Sequence, residues 1–209
     1  MGNTNHRLFF ALTAPDYNVQ DPRSPPSYQD CTAPSYNPSL TLLFMLDAFK
    51  ITDSGKEFLI CDTSTRVIFR GKHVKTKATR GLALRESYDI VDNGKNIVFK
   101  ALQCEDLSVR PGGLLGFVDF ECRGFKGADL LSIKIYDYGG NVIITSFKDG
   151  SIIRMVYNSN GQCIGNLLER NTHGTKGNFP QDLDLNLKAC ILFAAALTSR
   201  YCHQDTAVH

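Results

Sequence analysis

Catalytic sequence motifs are missing from this chain of 209 residues. It contains no G-x-S-x-G, no Walker loop, no G-x-G-x-x-G and no H-E-x-x-H sequence. Dispersed histidines are more typical of solvated side chains than of metal ligands. We therefore predict a non-enzymatic protein with no metal-ligating histidine among His6, His73, His173, His203 and His209.

Paired cysteines are also missing, because the seven cysteines are scattered singly without any C-x-x-C spacing. The first residues lack the charged region and hydrophobic run of a secretory signal. An odd, dispersed set of cysteines without such a signal indicates reduced thiols rather than a disulfide framework. We therefore expect the protein on the cytosolic side of a membrane or in the cytosol, and not secreted.

A long hydrophobic run is absent as well. The longest strongly helical run, residues 189–197, contains nine apolar residues, whereas a spanning helix needs about 20. Asp182 and Asp184 stand where a helix N-terminus favours negative charge, and Arg200 stands where the C-terminus favours positive charge. This pattern favours a buried core helix over a membrane span, although alternation through residues 182–188 also allows a strand there. The side chains expected in the core are Leu187, Ile191, Leu192, Phe193 and Leu197.

Residues 1–39 hold six of the eight prolines, interspersed with Tyr, Asn, Ser and Gln. Such a composition buries too little apolar surface to offset the entropy of ordering, so it predicts a disordered tail. Within it, Pro25, Pro26 and Tyr28 form a P-P-x-Y sequence, the type that docks in the aromatic groove of a WW domain. The alternative is a proline-rich spacer with a chance tyrosine.

Four pairs of β-branched or aromatic runs are each joined by Asn, Asp and Gly, which tolerate the positive φ of hairpin turns. Further strands are expected at 114–120 and 145–148, and residues 40–46 are either a strand or a helical turn. This pattern predicts a mainly β, antiparallel domain, and a closed barrel wrapped around the C-terminal helix would remove both the sheet edges and the helix's exposure. The predicted hairpins pair 57–61 with 67–70, 88–91 with 96–99, 131–135 with 141–144, and 152–157 with 162–165.

A basic segment interrupts the hairpins. Seven basic residues lie between Arg66 and Arg85, with no acid from 63 to 85. Residues 71–81 are expected to form an exposed loop that attracts an anionic lipid surface, while nucleic-acid phosphates and a plain solvated loop are the alternatives. Only one aromatic residue, His73, is present for base stacking, so nucleic acid is the weaker partner. The predicted lipid-binding residues are Arg70, Lys72, Lys75, Lys77 and Arg80.

Several blocks within residues 42–201 resemble the phospholipid scramblase family of the tubby-like superfamily. Residues 179–189, Phe-Pro-Gln-Asp-Leu-Asp-Leu-Asn-Leu-Lys-Ala, are similar to the family's F-P-L-D-L-D-V-x-M-K-A. Residues 115–118, Leu-Gly-Phe-Val, are similar to its Val-Gly-Tyr-Val strand, and 56–60 and 86–104 resemble its first hairpins. The resemblance implies a tubby-like scramblase domain at 40–203, followed by a short tail at 204–209.

The resemblance further implies calcium-stimulated movement of phospholipid between leaflets at the plasma membrane, with homo-oligomers as a further implication. Two positions depart from the family. Cys104 stands alone where the family has a cysteine cluster for acylation, and Asp182 is the only acid in the family's calcium segment, residues 171–182. Calcium wants 6–8 oxygen ligands, so no metal site is predicted there. The alternative function is a tubby-like adaptor that binds phosphoinositides through the basic loop and WW proteins through the tail.

Overall fold

The computed structural model describes residues 5–15, 38–74, 86–108, 111–123, 129–146, 155–158, 160, 163–166, 169–171, 174–178 and 183–201. These form two helices, α1 (Pro38–Met45) and α2 (Leu185–Tyr201), and thirteen strands. The strands in chain order are β1 (Asn5–Thr13), β2 (Ala48–Asp53), β3 (Glu57–Cys61), β4 (Val67–Val74), β5 (Ser87–Asp92), β6 (Ile97–Cys104), β7 (Leu114–Arg123), β8 (Asp129–Tyr136), β9 (Val142–Ser146), β10 (Met155–Asn158), β11 (Cys163–Asn166), β12 (Glu169–Asn171) and β13 (Gly174–Asn178).

All thirteen strands belong to one antiparallel sheet, in the order β11-β10-β9-β8-β7-β1-β6-β5-β4-β3-β2-β13-β12. The four predicted hairpins are confirmed, as β3–β4, β5–β6, β8–β9 and β10–β11. The predicted strand at 114–120 is part of β7, whereas 145–146 complete β9 instead of starting a new strand. The mainly β fold with a C-terminal helix is therefore as predicted.

Closure of the sheet into a barrel is a separate matter. β11 and β12 are the two ends of the strand order, and no ladder joins them in the described part of the chain. The two ends nevertheless approach each other, because β11 lies in contact with β13. The structure thus has a strongly curved sheet, and its closure stays a prediction.

The predicted tail, residues 1–39, is wrong for residues 5–13. These residues form β1, which lies between β6 and β7 in the middle of the sheet. Phe10 and Leu12 are fully buried, and Leu8 packs on the same core. Alternating apolar residues before the first proline build this strand, and the proline-rich composition of the whole stretch obscured it. Residues 16–37, which hold the P-P-x-Y sequence, and residues 204–209 lie outside the described residues.

Three hairpin turns are closed in the same way by an aspartate side chain. In each turn the aspartate carboxylate accepts a hydrogen bond from the backbone amide four residues on, which closes the loop before the next strand. A residue of positive φ follows in each, and two of these are not glycine: Thr65 (66°), Lys95 (67°) and Gly140 (85°). The carboxylate–amide pairs are Asp62–Arg66 (3.0 Å), Asp92–Asn96 (2.8 Å) and Asp137–Asn141 (2.8 Å).

The C-terminal helix α2 is buried along its length. Every residue from 188 to 199 is buried, so all faces of the helix meet the rest of the chain. Asp184 caps its N-terminus, because its Oδ1 accepts from the amides of Asn186 (2.9 Å) and Leu187 (3.2 Å). The strand considered for residues 182–188 is therefore excluded from 185 onward. No helix of the described residues is long and apolar enough to cross a membrane.

Side chains from widely separated strands enclose α2. The predicted core residues Ile191, Leu192, Phe193 and Leu197 are at most 2% exposed, while Leu187 is half-buried against the same core. The ring of Phe193 packs against three other rings, which come from β1, β3 and β5. Their centroids lie 5.0 Å (Phe10), 6.4 Å (Phe58) and 5.6 Å (Tyr88) from that of Phe193.

The sheet has two ends that differ in what they carry. One end, the loop end, has the β4–β5 connection and the C-terminus of α2, where Arg200 donates to the Gly55 carbonyl at 3.2 Å. The other end, the α1 end, has the three aspartate turns and α1. Residues 40–46, whose conformation the sequence left open, thus belong mostly to a helix that lies at the N-terminus of α2.

Candidate functional site

Two of the five predicted lipid-binding residues lie in a strand. Arg70 and Lys72 belong to β4, which continues to Val74 and pairs there with Ser87 of β5. The predicted loop at 71–81 is therefore wrong for residues 71–74. Lys75, Lys77 and Arg80 lie outside the described residues.

Gly71, in the middle of this segment, packs against the core. A Cβ at Gly71 would lie 1.9 Å from Cζ of Phe58, so the Phe58 ring occupies the space of the missing side chain. Phe58 is 1% exposed and belongs to the core around α2. Gly71 is thus a packing position of the sheet, and the basic residues beside it point to the outer face.

The charges of Arg70 and Lys72 are locally offset. Arg70 Nη1 lies 3.1 Å from Glu57 Oε1, and both side chains are partly exposed, so this pair contributes little to stability. Lys72 is exposed and stands opposite Glu57 and Asp89 on the neighbouring strands. The unbalanced positive charge of the basic segment therefore belongs to its sequence beyond residue 74.

The described residues on both sides of that loop are firmly held. Val74 and Ser87 are paired in the β4–β5 ladder, and Ser87 Oγ donates to the Val74 carbonyl at 2.9 Å. The amide of Gln103 in β6 donates to the carbonyl of Glu86 at 2.8 Å. This hydrogen bond attaches Glu86, the residue before Ser87, to β6. The described residues that flank the predicted loop are therefore held in the sheet.

Glu86 joins these flanking residues to the C-terminus of α2. Its Oε2 accepts hydrogen bonds from the phenols of Tyr88 (3.0 Å) and Tyr201 (3.1 Å). Burial, reinforced by the charge of Glu86, raises the pKa of Tyr201 to about 12. Burial also raises the pKa of Tyr88. Both phenols therefore remain hydrogen-bond donors at neutral pH.

Arg200 lies against the same group. Its guanidinium carbon is 5.4 Å from the centroid of the Tyr88 ring, and the His73 ring centroid is 5.3 Å from that of Tyr88. Nη2 of Arg200 donates to Gly55, whereas Nη1 is buried and has no hydrogen-bond partner in the described part of the chain. The group of Glu86, Tyr88, Arg200 and Tyr201, which we name the anchor cluster, attaches the residues that flank the predicted loop to α2.

Four cysteines, Cys61, Cys104, Cys122 and Cys190, are buried. Burial raises the pKa of the Cys104 thiol to about 11 and that of Cys190 to about 12. The thiol pKa values of Cys61 and Cys122 are raised for the same reason. Because the thiolate is the reactive form, these four positions suit packing rather than covalent chemistry.

The calcium ligands implied by the family resemblance are not assembled by the described residues. Asp182 lies outside them, and the carboxylate of its neighbour Asp184 is engaged in capping α2. Among the described ranges, no group of three or more His, Cys, Asp or Glu side chains could hold a metal ion. This donor set does not fit calcium, which prefers several carboxylate oxygens at one place.

Comparison with known proteins gives little to add. No family model matches the chain, and no curated protein matches it. Among solved structures, an X-ray structure of a protein from Arabidopsis thaliana is similar with a TM-score of 0.40 and 10% sequence identity, covering 73% of this chain and 91% of that one. Likeness of this degree carries no argument about family or function.

The anchor cluster was not foreseen from the sequence. Tyr201 and Glu86 are 115 positions apart, and neither belongs to a motif of its own. Only the pairing of β4 with β5 and the position of α2 bring them together. One signal was available: Glu86 is the first acid after the long acid-free stretch 63–85, so it marks the end of the basic segment.

Proposed function

We propose that this chain is a tubby-like, scramblase-related module that binds anionic phospholipid at the cytosolic face of a membrane without spanning it. The basic loop after β4, with Lys75, Lys77 and Arg80, supplies the positive charge for this binding. Basic side chains near an anionic bilayer contribute about 1 kcal/mol each, so a short loop suffices for reversible attachment. In this proposal the protein is a lipid-binding adaptor and not an enzyme.

The observation that carries the proposal is the uninterrupted burial of residues 188–199 in α2. A helix whose faces all pack against its own chain has no surface left for acyl chains. Attachment at the surface of the bilayer, without a spanning helix, is then the route that we propose. The proposal includes the finer form of the fold, a tubby-like barrel closed around α2, which the approach of β11 to β13 supports.

Vesicle sedimentation tests the role of the loop. The triple variant Lys75→Gln/Lys77→Gln/Arg80→Gln removes three charges, which at about 1 kcal/mol each predicts roughly 100-fold weaker binding to vesicles containing phosphatidylserine. The matched control is Lys100→Gln/Arg123→Gln/Lys134→Gln, which removes three charges from β6, β7 and β8 and should bind like the wild type. Equal binding by the two triple variants would contradict the proposal.

Salt and nucleic acid provide a second arm of that experiment. Binding to phosphatidylserine vesicles should fall as salt rises from about 0.05 to 0.5 M, because exposed charges are screened. A single-stranded RNA competitor should leave vesicle binding unchanged at equal phosphate concentration. Displacement of the protein from the vesicles by RNA would instead support the alternative that the loop binds nucleic-acid phosphates.

Transbilayer movement of phospholipid is a second candidate, favoured by the similarity of residues 179–189 to the scramblase block. With α2 enclosed, such movement would proceed by distortion of the bilayer, by a partner or by an oligomer. Liposomes carrying a fluorescent lipid, with dithionite added outside, measure it. Accelerated loss of the inner-leaflet signal with the protein present, with or without calcium, would establish this candidate. An unchanged rate would reject it and leave the adaptor function as the remaining candidate.

Docking of a WW domain to Pro25, Pro26 and Tyr28 is part of the adaptor proposal. Titration of a WW domain into the full chain should give micromolar affinity, which the variant Tyr28→Ala removes. Tyr17→Ala is the matched control in the same stretch. Equal affinity of the two variants would reject the tail as a WW ligand.

A further inference from the structure

The short helix α1 displays apolar side chains. Leu42, Phe44 and Met45 are 48%, 53% and 69% exposed. Tyr138 and Val142, which belong to the β8–β9 hairpin, are also exposed. Three large apolar residues exposed on two helical turns form a patch that needs a physical explanation.

This exposure does not come from a loose attachment of α1. Leu43 and Leu46 are buried in the core, and the ammonium group of Lys188 donates to the carbonyls of Phe44 (2.6 Å) and Leu46 (3.2 Å). Lys188 is itself fully buried in α2. Long charged side chains are rarely buried without such partners, so Lys188 serves to fix the C-terminus of α1. The patch is held in place while facing outward.

Two lysines lie near the start of β2. One of them, Lys50, follows Met45 by five residues. Lys50 of β2 and Lys176 of β13 are cross-strand partners on the outer face of the sheet. The next outward-facing pair toward the start of β2 is Ala48 and Asn178. Lys176 is exposed, and the neighbours Phe49, Ile51 and Thr175 are buried on the inner face. Like charges directly opposite each other destabilise a sheet. Glu169 of β12 is the partner of Lys176 on its other side and offsets part of this charge, whereas Lys50 has the uncharged Cys61 on its other side. The remaining cost falls on Lys50, where an anionic ligand would relieve it.

The size of the apolar patch decides between two occupants. If a large side chain offers about 150–250 Å², the three exposed fractions sum to about 300 Å². A stable dimer needs about 800 Å² from each partner, so the patch is too small to hold a second copy. An uncharged, protruding helix beside lysines is instead the arrangement of an interfacial membrane contact, with apolar side chains among the lipid headgroups and cations at the phosphates.

We propose that α1 inserts Leu42, Phe44 and Met45 into the headgroup region of an anionic bilayer, with Lys50 and Lys176 bound to lipid phosphates. Three acids lie nearby: Glu169, the cross-strand partner of Lys176 on β12, Asp47 between α1 and β2, and Asp184, whose carboxylate is engaged in capping α2. The inference rests on the proposed function for the presence of a membrane, and it adds the orientation of the protein on it.

That orientation is compatible with the basic loop at the other end of the sheet. β2 and β4 are separated only by β3, so α1 and the start of the loop are displaced sideways by about 10 Å. Along the strands they are about 26 Å apart, at ~3.3 Å per residue for the eight residues of β4. Both reach one bilayer when the strands β2 to β4 lie along its surface.

The absence of tryptophan from the chain gives a direct probe. In the variant Phe44→Trp, the single indole reports its surroundings in the full-length protein. With vesicles of phosphatidylcholine and phosphatidylserine, we expect a blue shift of its emission and strong quenching by lipids brominated near the headgroup. Tyr138→Trp places the probe at a 73% exposed position in the β8–β9 turn and should show neither effect.

The lysine pair is tested in the same system. Lys50→Glu/Lys176→Glu in the Phe44→Trp background should weaken vesicle binding at least tenfold, since two favourable charges become unfavourable ones. Arg123→Glu/Lys134→Glu reverses two basic residues of β7 and β8, away from α1 and β2, and serves as the matched control. Equal effects of the two double variants would overturn the proposal that Lys50 and Lys176 bind lipid phosphates.

Three outcomes separate the inference from the proposed function. If the Phe44→Trp protein sediments with vesicles while its indole is neither shifted nor quenched, the α1 contact is overturned and the basic loop remains intact. Indole quenching that persists when Lys75, Lys77 and Arg80 are also replaced by Gln supports the α1 contact without the loop. A blue shift that depends on protein concentration in the absence of vesicles would assign the patch to a second copy and overturn the membrane contact.

Discussion

The two helices of this protein are both rich in apolar residues, yet they lie in opposite environments. α2 is buried from residue 188 to residue 199, whereas α1 exposes Leu42, Phe44 and Met45 at the end of the sheet. The difference follows from position and not from composition, because α2 lies inside the curve of the sheet and α1 lies on top of its N-terminus. Apolar content alone therefore does not decide which helix is core and which is surface.

The strongest test of this contrast compares one phenylalanine from each helix. Phe193→Ala should lower the free energy of unfolding by about 3–5 kcal/mol, because a fully buried ring leaves a cavity between three other rings. Phe44→Ala should lower it by no more than about 2 kcal/mol, since half of that ring is already in water and the chief loss is its contact with Lys188 Nζ, which lies 5.3 Å from the ring centroid. Urea unfolding followed by circular dichroism measures both, and similar losses for the two variants would refute the contrast.

Lys188 links the two helices, and its removal should separate them. Lys188→Met keeps the length of the side chain but leaves the carbonyls of Phe44 and Leu46 without this donor. The expected loss is about 1–3 kcal/mol, the usual cost of unsatisfied buried polar groups. Relative to the wild type, amide hydrogen exchange in the variant should accelerate more in α1 than in α2. Uniform acceleration across the chain would mean that Lys188 supports the whole core and not the attachment of α1.

The sequence predicted these regions unequally. The hairpins were foreseen because Asp, Asn and Gly fix their turns locally, and α2 was foreseen because its apolar run is continuous. β1 was missed, since its partners are Cys104 in β6 and Arg123 in β7, about 95 and 118 positions away in the chain. The conformation of residues 40–46 stayed open because a run of seven residues has no decisive period.

The candidate site was foreseen in part and for a similar reason. The excess of basic residues is visible in the sequence, but the extension of β4 to Val74 depends on its pairing with Ser87 of β5. The anchor cluster depends on where α2 ends relative to Glu86, which no local pattern encodes. The Lys50–Lys176 pair likewise requires the β2–β13 register.

The opposite end of α2 offers a test with pH. The pKa of Tyr201 is raised to about 12 from its ordinary value of 10, so folding favours the protonated phenol. The resulting stability is complete below pH 10 and is lost as the pH rises toward 12. Tyr201→Phe should be about 1 kcal/mol less stable at pH 8, through loss of the hydrogen bond to Glu86, and its stability should fall less between pH 10 and 12. Parallel curves for the variant and the wild type would contradict this account of the anchor cluster.

The smallest expected effect concerns the surface of α1. Met45→Gln should change the free energy of unfolding by no more than about 0.5 kcal/mol, because Met45 is 69% exposed. The same variant should weaken binding to vesicles containing phosphatidylserine. Val142→Gln, at a 41% exposed position in β9, is the control that should leave vesicle binding unchanged.

The central claim is that the curved sheet keeps α2 enclosed even when the protein is bound to lipid. Nuclear Overhauser contacts between the ring of Phe193 and the rings of Phe10 and Tyr88, measured on the protein bound to lipid nanodiscs, test it most directly. The centroid distances of 5.0 and 5.6 Å predict strong contacts that lipid leaves unchanged. Loss of these contacts, with new ones from Phe193 to acyl chains, would contradict the claim.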